Sequence, residues 1–562
     1  MAHIRSVMAP FWLNLWACTL ALGWLLPNHH RPWTAFHADA WVALTLLLAA
    51  ATVIFRSRVT LLWHKMPILV TLLVFIPWTQ YSQGLVSQIG NVWITSAYLL
   101  GLSLALVIGA NWEANSPGQL ADALFLAVGV ASVLSVGLQL YQWLHLDGLA
   151  LWTLGGGHER PFANLGQPNQ LATLLLWGVL AAAWGFLRGY VGAKAALLMA
   201  IFLLFGVALT ASRTAWLAVV GLVCASWLWR RFWKSRQVAW VASGLALYFL
   251  ICVVGIGWLQ TPTGGTLNET TLMRGDLRSL AWLAFLDAAW RAPLWGYGWN
   301  QIASAQMAVA ADHPALHVIF LHSHNLFLDL ILWCGVPLGL LTSVCLLAWF
   351  WRRLKAVNNA ENLVLMLFLL VVANHALLEL PLHHAYFLLP TGMVIGVLNT
   401  RLNASVMPFG GQKMSVVLWL ATTLLLVLVI RDYIRIERSY EVLRLEWARI
   451  KIQEPAVPPD VILLTQWRDY IQYVRSEPKA GLKEDDLNQH RLIASLSPDV
   501  VTLTKLATTL VLNDRPDEAK MWLRKMCKVV TEEQCHSAKM AWNLQVKKYP
   551  QIEKTSWPLD NQ

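Results

Sequence analysis

Long apolar runs alternate with short polar segments from Phe11 to Ile430. Each run has about 18 to 25 residues, and a helix needs about 20 to cross a hydrocarbon layer of roughly 30 Å. We therefore predict an all-α, polytopic membrane domain over residues 1–430 with about 13 spans, or 11 to 12 if neighbouring runs are merged. The spans are expected near residues 10–27, 39–55, 66–83, 91–110, 119–143, 168–187, 193–211, 214–230, 237–258, 325–350, 362–380, 386–400 and 413–430.

The composition agrees with a membrane protein. The chain is 57% hydrophobic and 13% charged, with a mean hydropathy of +0.52, far from a soluble globular average. The first span lacks a small-residue cleavage site, so we expect a retained helix rather than a signal peptide. The 32 tryptophans suit membrane interfaces, although aromatic faces also stack on sugar rings.

A net charge of +11 could suggest nucleic-acid binding, but the distribution of the basic residues predicts a membrane topology instead. Most of them fall in alternate loops, as the positive-inside rule requires, although the loop at 111–118 carries no base. With 13 spans the N-terminus lies in the cytoplasm and the C-terminus outside. The basic loop residues are Arg5, Arg56, Arg58, Lys65, Arg188, Lys194, Arg230, Arg231, Lys234, Arg236, Arg352, Arg353, Lys355, Arg401 and Lys413.

The outer segments hold the polar chemistry. Before residue 431 they contain six arginines and no lysine, which the positive-inside rule does not explain. A guanidinium binds phosphate oxygens in bidentate fashion and stays charged where water is scarce. A single arginine could instead tie down a carbonyl or a carboxylate such as Asp276 or Asp287, but the set favours a phosphate-bearing substrate. The six are Arg31, Arg160, Arg213, Arg274, Arg278 and Arg291, and the longest outer segment runs from about 259 to 325.

Two outer features suggest a reaction centre. Arg213 lies in TASRTAW, a very short turn between two spans, where a charge close to hydrocarbon is costly. FLHSHNLF places His322, His324 and Asn325 at the start of a span, and histidine is the side chain suited to act as a base near neutral pH. The phosphates of a polyprenyl-pyrophosphate sugar carrier would rest at this height, and cations there would assist departure of the leaving group. The alternative is that the two histidines cap the helix.

Other chemistries fit less well. His322, His324, His375, Glu379, His383 and His384 could ligate a metal, and His375 and Glu379 are spaced for one helix face, but no spacing matches a familiar zinc pattern. The chain has no phosphate-binding P-loop. We therefore expect neither a metal nor another cofactor. A non-catalytic lipid-glycan transporter remains an alternative.

Several motifs resemble a known superfamily. HSHNLFLDLILWCGVPLG, the ASR turn, Arg278 with Trp282, and APLWGYGWNQ resemble the O-antigen ligase and polymerase (Wzy_C) superfamily. HHRPWTAFHADAW, ERPFANLGQPNQLAT, HALLELPLHHAYFLLP and DYIRIERSY are similar to the bacterial O-linked protein oligosaccharyltransferases of the PglL type. The resemblance runs from about residue 29 to 440. The glycine step from Gly335 to Gly339 is wider than usual, and Trp333 or Cys334 stands where an acid is common, which leaves the substrate preference open.

This resemblance implies an inner-membrane enzyme that transfers a preassembled glycan en bloc from undecaprenyl pyrophosphate to serine or threonine of periplasmic proteins, commonly a pilin, without nucleotide or metal. It implies that His324, or else His322, is catalytic and that Arg213 holds the pyrophosphate with Arg278 or Arg274. Arg160, Gln167, Asn169, Asn325 and Tyr386 would line the site, with His375 and Glu379 behind them or simply paired with each other. An O-antigen ligase acting on lipid A core, or a repeat-unit polymerase, would share the same machinery.

Residues 431–562 differ from the rest by their dense charge and the absence of a spanning run. Patterns of period 3.6 predict a small helical periplasmic domain, with one tetratricopeptide-like hairpin around Pro516. It could dock the acceptor protein or serve as a scaffold.

Cys527 and Cys535 are the only cysteines in this segment, and an oxidising compartment favours a disulfide between them. The other five cysteines lie in predicted spans and are expected to be inert.

Overall fold

The computed structural model describes residues 11–56, 61–156, 160–233, 237–259, 269–407, 411–451, 457–555 and 557. For residues 56, 259, 269–276, 407 and 554 the description covers the backbone alone. The all-α prediction is confirmed, since the described strands are a single two-residue antiparallel pair, Trp63–His64 with Val406–Met407.

The helices of the first half are α1 (Phe11–Leu22), α2 (Phe36–Arg56), α3 (Lys65–Leu73), α4 (Phe75–Ser82), α5 (Ile89–Asn115), α6 (Gln119–Trp143), α7 (Pro168–Arg188), α8 (Ala193–Leu209), α9 (Arg213–Leu228) and α10 (Gln237–Leu259). Those of the second half are α11 (Glu269–Arg291), α12 (Ile302–Val309), α13 (Leu326–Ala356), α14 (Ala360–Ala376), α15 (Ala385–Arg401), α16 (Gly411–Trp447), α17 (Thr465–Arg475), α18 (Glu484–Leu496), α19 (Val500–Leu512), α20 (Pro516–Val529) and α21 (Glu532–Gln545).

Among the described helices, seven are long and apolar enough to cross a membrane, namely α2, α5, α6, α7, α10, α13 and α16. The chain is therefore a polytopic membrane protein. Five other predicted spans coincide with α1, α8, α9, α14 and α15, which have 12 to 17 residues. The span predicted at 66–83 consists of two helices, because α3 ends at Leu73 and α4 begins at Phe75, with Val74 between them at φ −59° and ψ −30°. Pro77 lacks the N–H that would bond the carbonyl of Leu73, so the helix breaks there.

The chain forms two compact units, the first made of residues 1–73, 97–265 and 347–427. In it, glycines bring α5 and α15 into close contact: a Cβ on Gly109 would lie 2.2 Å from the Met393 carbonyl oxygen, and one on Gly396 would lie 2.4 Å from that of Leu106. Such small-residue contacts are the usual way in which membrane helices pack, since lipid supplies no hydrophobic drive between them.

One end of the first unit carries an ion network that joins five helices. Arg401 of α15 contacts Glu113 of α5 at 2.7 Å and Glu361 of α14 at 2.8 Å. Arg188 of α7 contacts the same Glu361 at 3.2 Å and Asp122 of α6 at 3.0 Å. These residues border the loops predicted to lie inside. The acids provide partners that the positive-inside pattern does not anticipate.

The second unit comprises residues 74–96, 266–346 and 428–562, and its central feature is a break in α13 at Gly335. The loop at 292–298 fills the break: Val336 N–H donates to the Pro293 carbonyl and Tyr297 N–H donates to that of Leu332, each at 2.7 Å. The loop thus supplies partners to backbone groups at the break, which hydrocarbon cannot do.

Helices α17 to α21 form the C-terminal part of the second unit. Leu503, Leu506, Leu510 and Met526 are buried in its core, which Met307 and Ala310 at the end of α12 join. The backbone N–H groups of Leu316 and His317 donate to the Lys528 carbonyl. A disulfide joins Cys527 near the end of α20 to Cys535 in α21. The compact unit therefore includes part of the long 259–325 segment as well as residues after 431.

We expect Gly335→Ala to destabilise the fold. At φ +80° and ψ 166° Gly335 adopts a conformation that is essentially restricted to glycine, and a Cβ there would lie 2.2 Å from the Leu294 carbonyl oxygen. The backbone conformation alone should cost about 1–3 kcal/mol. Size-exclusion chromatography of heated, detergent-solubilised protein should show earlier loss of the folded peak. Gly255→Ala, at a helical position with nothing within 4 Å of the added Cβ, is the matched control and should be neutral. Equal behaviour of the two variants would contradict the prediction.

Candidate active site

Two amides and a carboxylate meet at the start of α7. Gln167 is the N-cap residue and Pro168 the first helical residue, so Gln167 and Asn169 both lie at the beginning of the helix. Asn169 Nδ2 donates to Glu379 Oε1 at 3.0 Å, and Gln167 Nε2 donates to Glu379 Oε2 at 3.4 Å. Glu379 is 4% exposed, so its carboxylate depends on these donors and on the positive end of α7.

The spacing of His375 and Glu379 predicts one helix face, but α14 ends at Ala376 and Glu379 lies in the following connection. His375 itself is buried, and its Nδ1 lies 2.8 Å from the hydroxyl of Thr173 on α7. His375 and Glu379 therefore link the end of α14 to the start of α7 through side-chain hydrogen bonds. Thr173 is a partner that the sequence analysis missed.

A buried chain of hydrogen bonds runs from Tyr386 to His384. The Tyr386 hydroxyl donates to Gln170 Oε1 at 2.7 Å, and Gln170 Nε2 donates to His384 Nε2 at 2.8 Å. Because an amide N–H can only donate, His384 accepts at Nε2 and is neutral with its proton on Nδ1. Burial, aided by the neighbouring His383, His375 and His29, lowers the pKa of His384 to about 3. Tyr386 thus contacts Gln170, which was not predicted as a site residue.

Asp39 is a further buried polar residue that the sequence analysis did not single out. Its carboxylate accepts from the Ala385 N–H at 2.5 Å and from the Tyr98 hydroxyl at 2.8 Å, and its exposed fraction is 4%. It thereby joins the start of α2 to the start of α15. An acid in the first turn of a predicted span is the signal that could have identified it.

Asn164 organises the connection before α7. Its Nδ2 donates to the carbonyls of Leu25 and Trp152, its Oδ1 accepts from the Leu154 N–H, and its own carbonyl lies 2.7 Å from His29 Nε2. Burial lowers the pKa of His29. The HHRPW and FANLG motifs, 135 residues apart, are therefore one structural feature.

The ASR turn carries two of the predicted arginines. Ser212 is the N-cap of α9 and accepts from the Ala215 N–H, so Arg213 is the first helical residue, and it is exposed. Arg160 Nε donates to the Thr210 carbonyl at 3.1 Å, which places this side chain at the same turn. The first turn of α9 contains no acid. The Arg160 side chain and the first residue of α9 therefore lie at the same turn, beside the positive end of that helix.

The histidine segment lies in the second unit, where Asn325 and not a histidine caps α13. Asn325 Oδ1 accepts from the N–H groups of Phe327 and Leu328 at 3.1 and 3.2 Å. The capping bonds that the structure describes here thus come from Asn325, and the roles of His322 and His324 stay predictions. His324 adopts φ +59°, a left-handed conformation uncommon outside glycine, and is partly exposed.

Surrounding side chains hold this conformation. Ser323 N–H donates to the buried Asp329 at 2.7 Å, and Ser323 carbonyl accepts from Trp282 Nε1 of α11 at 2.8 Å. The ring of Phe320 contacts His324 edge-on with centroids 5.6 Å apart, and Gln306 Oε1 accepts from the Phe320 N–H. The imidazole is thereby presented from a fixed backbone, as a positioned base requires.

Arg278 lies one helical turn before Trp282 on α11 and is partly buried. The two therefore share a helix face, so that Arg278 lies on the helix that holds the histidine segment. The side chain of Arg274 lies outside the described residues. No spatial role is assigned to it.

Comparisons with known proteins agree with these features. Three family models match in chain order: a protein glycosylation ligase over residues 161–184, an O-antigen ligase over 198–343, and the C-terminal part of a virulence-factor membrane-bound polymerase over 363–545. A general O-oligosaccharyltransferase of Acinetobacter baylyi is 29% identical over 538 residues, 92% of each chain. A ComP-specific O-oligosaccharyltransferase of the same organism is 27% identical over 359 residues, 62% of this chain and 64% of the relative.

The family matches cover the ASR turn, the histidine segment and the residues around Glu379, and the relatives extend over most of the chain. The resemblance drawn from the motifs is confirmed. The chain matches the O-antigen ligase family model and is similar to bacterial O-oligosaccharyltransferases over most of its length, and it is a glycosyltransferase.

Proposed function

We propose that this enzyme transfers a preassembled glycan en bloc from undecaprenyl pyrophosphate to serine or threonine hydroxyls of periplasmic proteins, pilins among them. It would act as a multi-pass protein of the inner membrane with its site and C-terminal domain facing the periplasm. The names of its relatives support an oligosaccharide donor and a protein acceptor. The alternate basic loops support the orientation. The activated donor supplies the driving force, so the proposed reaction needs neither nucleotide nor metal.

The ASR turn suits the donor diphosphate. Arg213 at the first position of α9 adds its charge to the positive helix end, and Arg160 is bonded at the same turn. A dianionic group there would gain charge-assisted hydrogen bonds and a favourable interaction with the helix end. Arg278, and Arg274 from sequence alone, are further phosphate ligands in this proposal. Gln167, Asn169 and Tyr386 would contact the sugar or hold the residues that do.

In the proposed reaction His324 accepts the proton of the acceptor hydroxyl. The hydroxyl oxygen forms a bond to the anomeric carbon, while the bond from that carbon to the phosphate oxygen breaks. The electron pair leaves with the polyprenyl pyrophosphate, whose developing charge the arginines stabilise. His322 is the second choice for the base. No cofactor takes part.

The single observation that carries this proposal is the conformation of His324. Nine non-glycine residues in the described part of the chain have positive φ, which costs roughly 1–2 kcal/mol, and His324 is the one that lies in the histidine motif. Asn325 already caps α13, so the helix does not need the histidine. Asp329 and Trp282 nevertheless hold the preceding residue, Ser323, in place. The proposal explains why this geometry is maintained.

An O-antigen ligase or a repeat-unit polymerase is the second candidate, favoured by the family models over 198–343 and 363–545. The two can be separated by expressing the chain in a cell that makes a lipid-linked glycan, a pilin, and a lipid A core without its own ligase. We expect a glycan mass shift on the pilin. New ladders on lipid A core alone would reverse the order of the two candidates.

We predict that His324→Asn abolishes transfer without loss of folding. Asparagine tolerates positive φ, so the backbone is kept while the base is removed. His324→Ala should be equally inactive but somewhat less stable, because alanine does not tolerate the left-handed conformation. Glycan transfer to pilin in membranes and the size-exclusion profile check both expectations.

His322→Asn is the matched comparison for this prediction and should retain measurable transfer. Full activity of His324→Asn would refute the catalytic role. If His322→Asn alone were inactive, the base would be His322.

We also predict that Arg213→Lys reduces transfer by about tenfold or more, or roughly 1.4 kcal/mol in the barrier, because a bidentate fork is replaced by a point charge. Arg291→Lys is the matched control, since Arg291 is also an outer arginine but pairs with Asp287 and Asp312. It should behave like the unaltered enzyme. Unchanged turnover of Arg213→Lys would contradict bidentate phosphate binding.

A further inference from the structure

Helix α11 has an exposed apolar stripe. Leu283, Leu286 and Trp290 follow one another at helical spacing, with Trp290 81% exposed, and the chain continues into exposed Leu294 and Trp295. These side chains form one surface, here called the α11 stripe. A contiguous surface of large apolar groups is unusual on a soluble face and marks an interaction site.

The other faces of α11 are occupied. Ala281, Ala284, Phe285 and Ala288 are buried in the second unit. The polar flank is formed by Asp287, which contacts Arg291 at 2.7 Å and His313 at 2.9 Å. The helix is therefore amphipathic on its outer side, with a charged flank beside the stripe.

The stripe continues into a segment that lies at membrane depth. Gly335 follows the start of α13 by nine residues, about 14 Å along the helix axis, and α13 is long and apolar enough to span a bilayer. Pro293 and Tyr297 are hydrogen-bonded to the backbone at this break. Leu294 and Trp295 are thus held beside the interior of a spanning helix.

Beyond the break, α13 itself exposes Leu340, Leu341 and Val344. Exposed apolar side chains on a spanning helix face lipid. Leu294 and Trp295 are also exposed and lie in the loop bonded to the break just before these residues, and the rest of the stripe follows from them along α11. The loop can lie at this depth because its hydrogen bonds with α13 satisfy backbone groups at the break.

We propose that α11 is an interfacial helix whose stripe inserts into the acyl region of the outer leaflet, with Asp287 and Arg291 at the headgroup level. Tryptophan is enriched at this boundary, and an apolar stripe beside a charged flank is the pattern of helices that lie in it. Trp282 on the same helix donates a hydrogen bond to the Ser323 carbonyl. The depth at which α11 inserts would therefore fix the position of the His322–Asn325 segment along the membrane normal. The membrane contact itself does not depend on which acceptor the enzyme uses.

Spin-label accessibility tests the proposal. The full chain would be placed in nanodiscs of phosphatidylethanolamine and phosphatidylglycerol, with Cys18, Cys224, Cys252, Cys334 and Cys345 replaced by alanine and the Cys527–Cys535 disulfide kept. Nitroxides would be attached one at a time at Leu283→Cys, Leu286→Cys and Trp290→Cys. Asp312→Cys, at a 55% exposed side chain on the polar flank, is the matched control.

We expect the ratio of oxygen to nickel-chelate collision rates to be at least about tenfold higher on the stripe than at residue 312, because oxygen concentrates in acyl chains and the chelate is excluded. Ratios on the stripe equal to that at residue 312 would show a surface in water, available to a protein partner, and would overturn the proposal. Labels shielded from both reagents would show burial against protein and would overturn it too.

A second measurement uses the chain with all its cysteines. Nanodiscs containing a lipid with a photoactivatable diazirine in its acyl chain would be irradiated, and the cross-linked peptides mapped by mass spectrometry. Adducts at Leu283, Leu286, Trp290 or Trp295 support insertion. Adducts on α13 without any in residues 282–295 would refute it.

Discussion

The hydrocarbon layer offers no water to a polar group, and this constraint determines where the polar side chains of the first unit lie. At one end Arg401 and Arg188 share Glu361, and at the other Gln167 and Asn169 share Glu379. Glu361 of α14 is bonded to side chains of α15 and α7, and Glu379, which follows α14, is bonded to two amides at the start of α7. The polar contacts therefore do more than satisfy charges, because they also fix which helix ends meet.

The same constraint explains the break in α13. A spanning helix that opens at Gly335 exposes backbone groups, and the loop at 292–298 bonds to them. Contact this close requires glycine on both sides, since a Cβ on Gly296 would lie 2.4 Å from the Leu332 carbonyl oxygen. The WGYGWNQ and WCGVPLG motifs are therefore two halves of one contact. It brings the end of α11, the helix that holds the histidine segment, against α13.

Much of the candidate site could be predicted from residue types, but its partners could not. The sequence did not predict that Asn325 caps α13 or that Gln170 contacts both Tyr386 and His384. Asp39 lies near Ala385, 346 residues away in sequence. Such pairings depend on which helices are neighbours in the folded protein, and the local pattern of apolar residues does not specify the neighbours.

The sequence by itself determined the class of the protein. Run length and hydropathy require membrane helices, and the motifs show the similarity to O-antigen ligases and O-oligosaccharyltransferases, because each of these properties is local to a stretch of chain. The tertiary structure alone decided that α3 and α4 are separate, that His324 has a left-handed backbone, and that part of the long loop packs with the C-terminal helices. These features arise from hydrogen bonds and contacts between distant residues, and the free energy of such contacts exists only once the chain has folded.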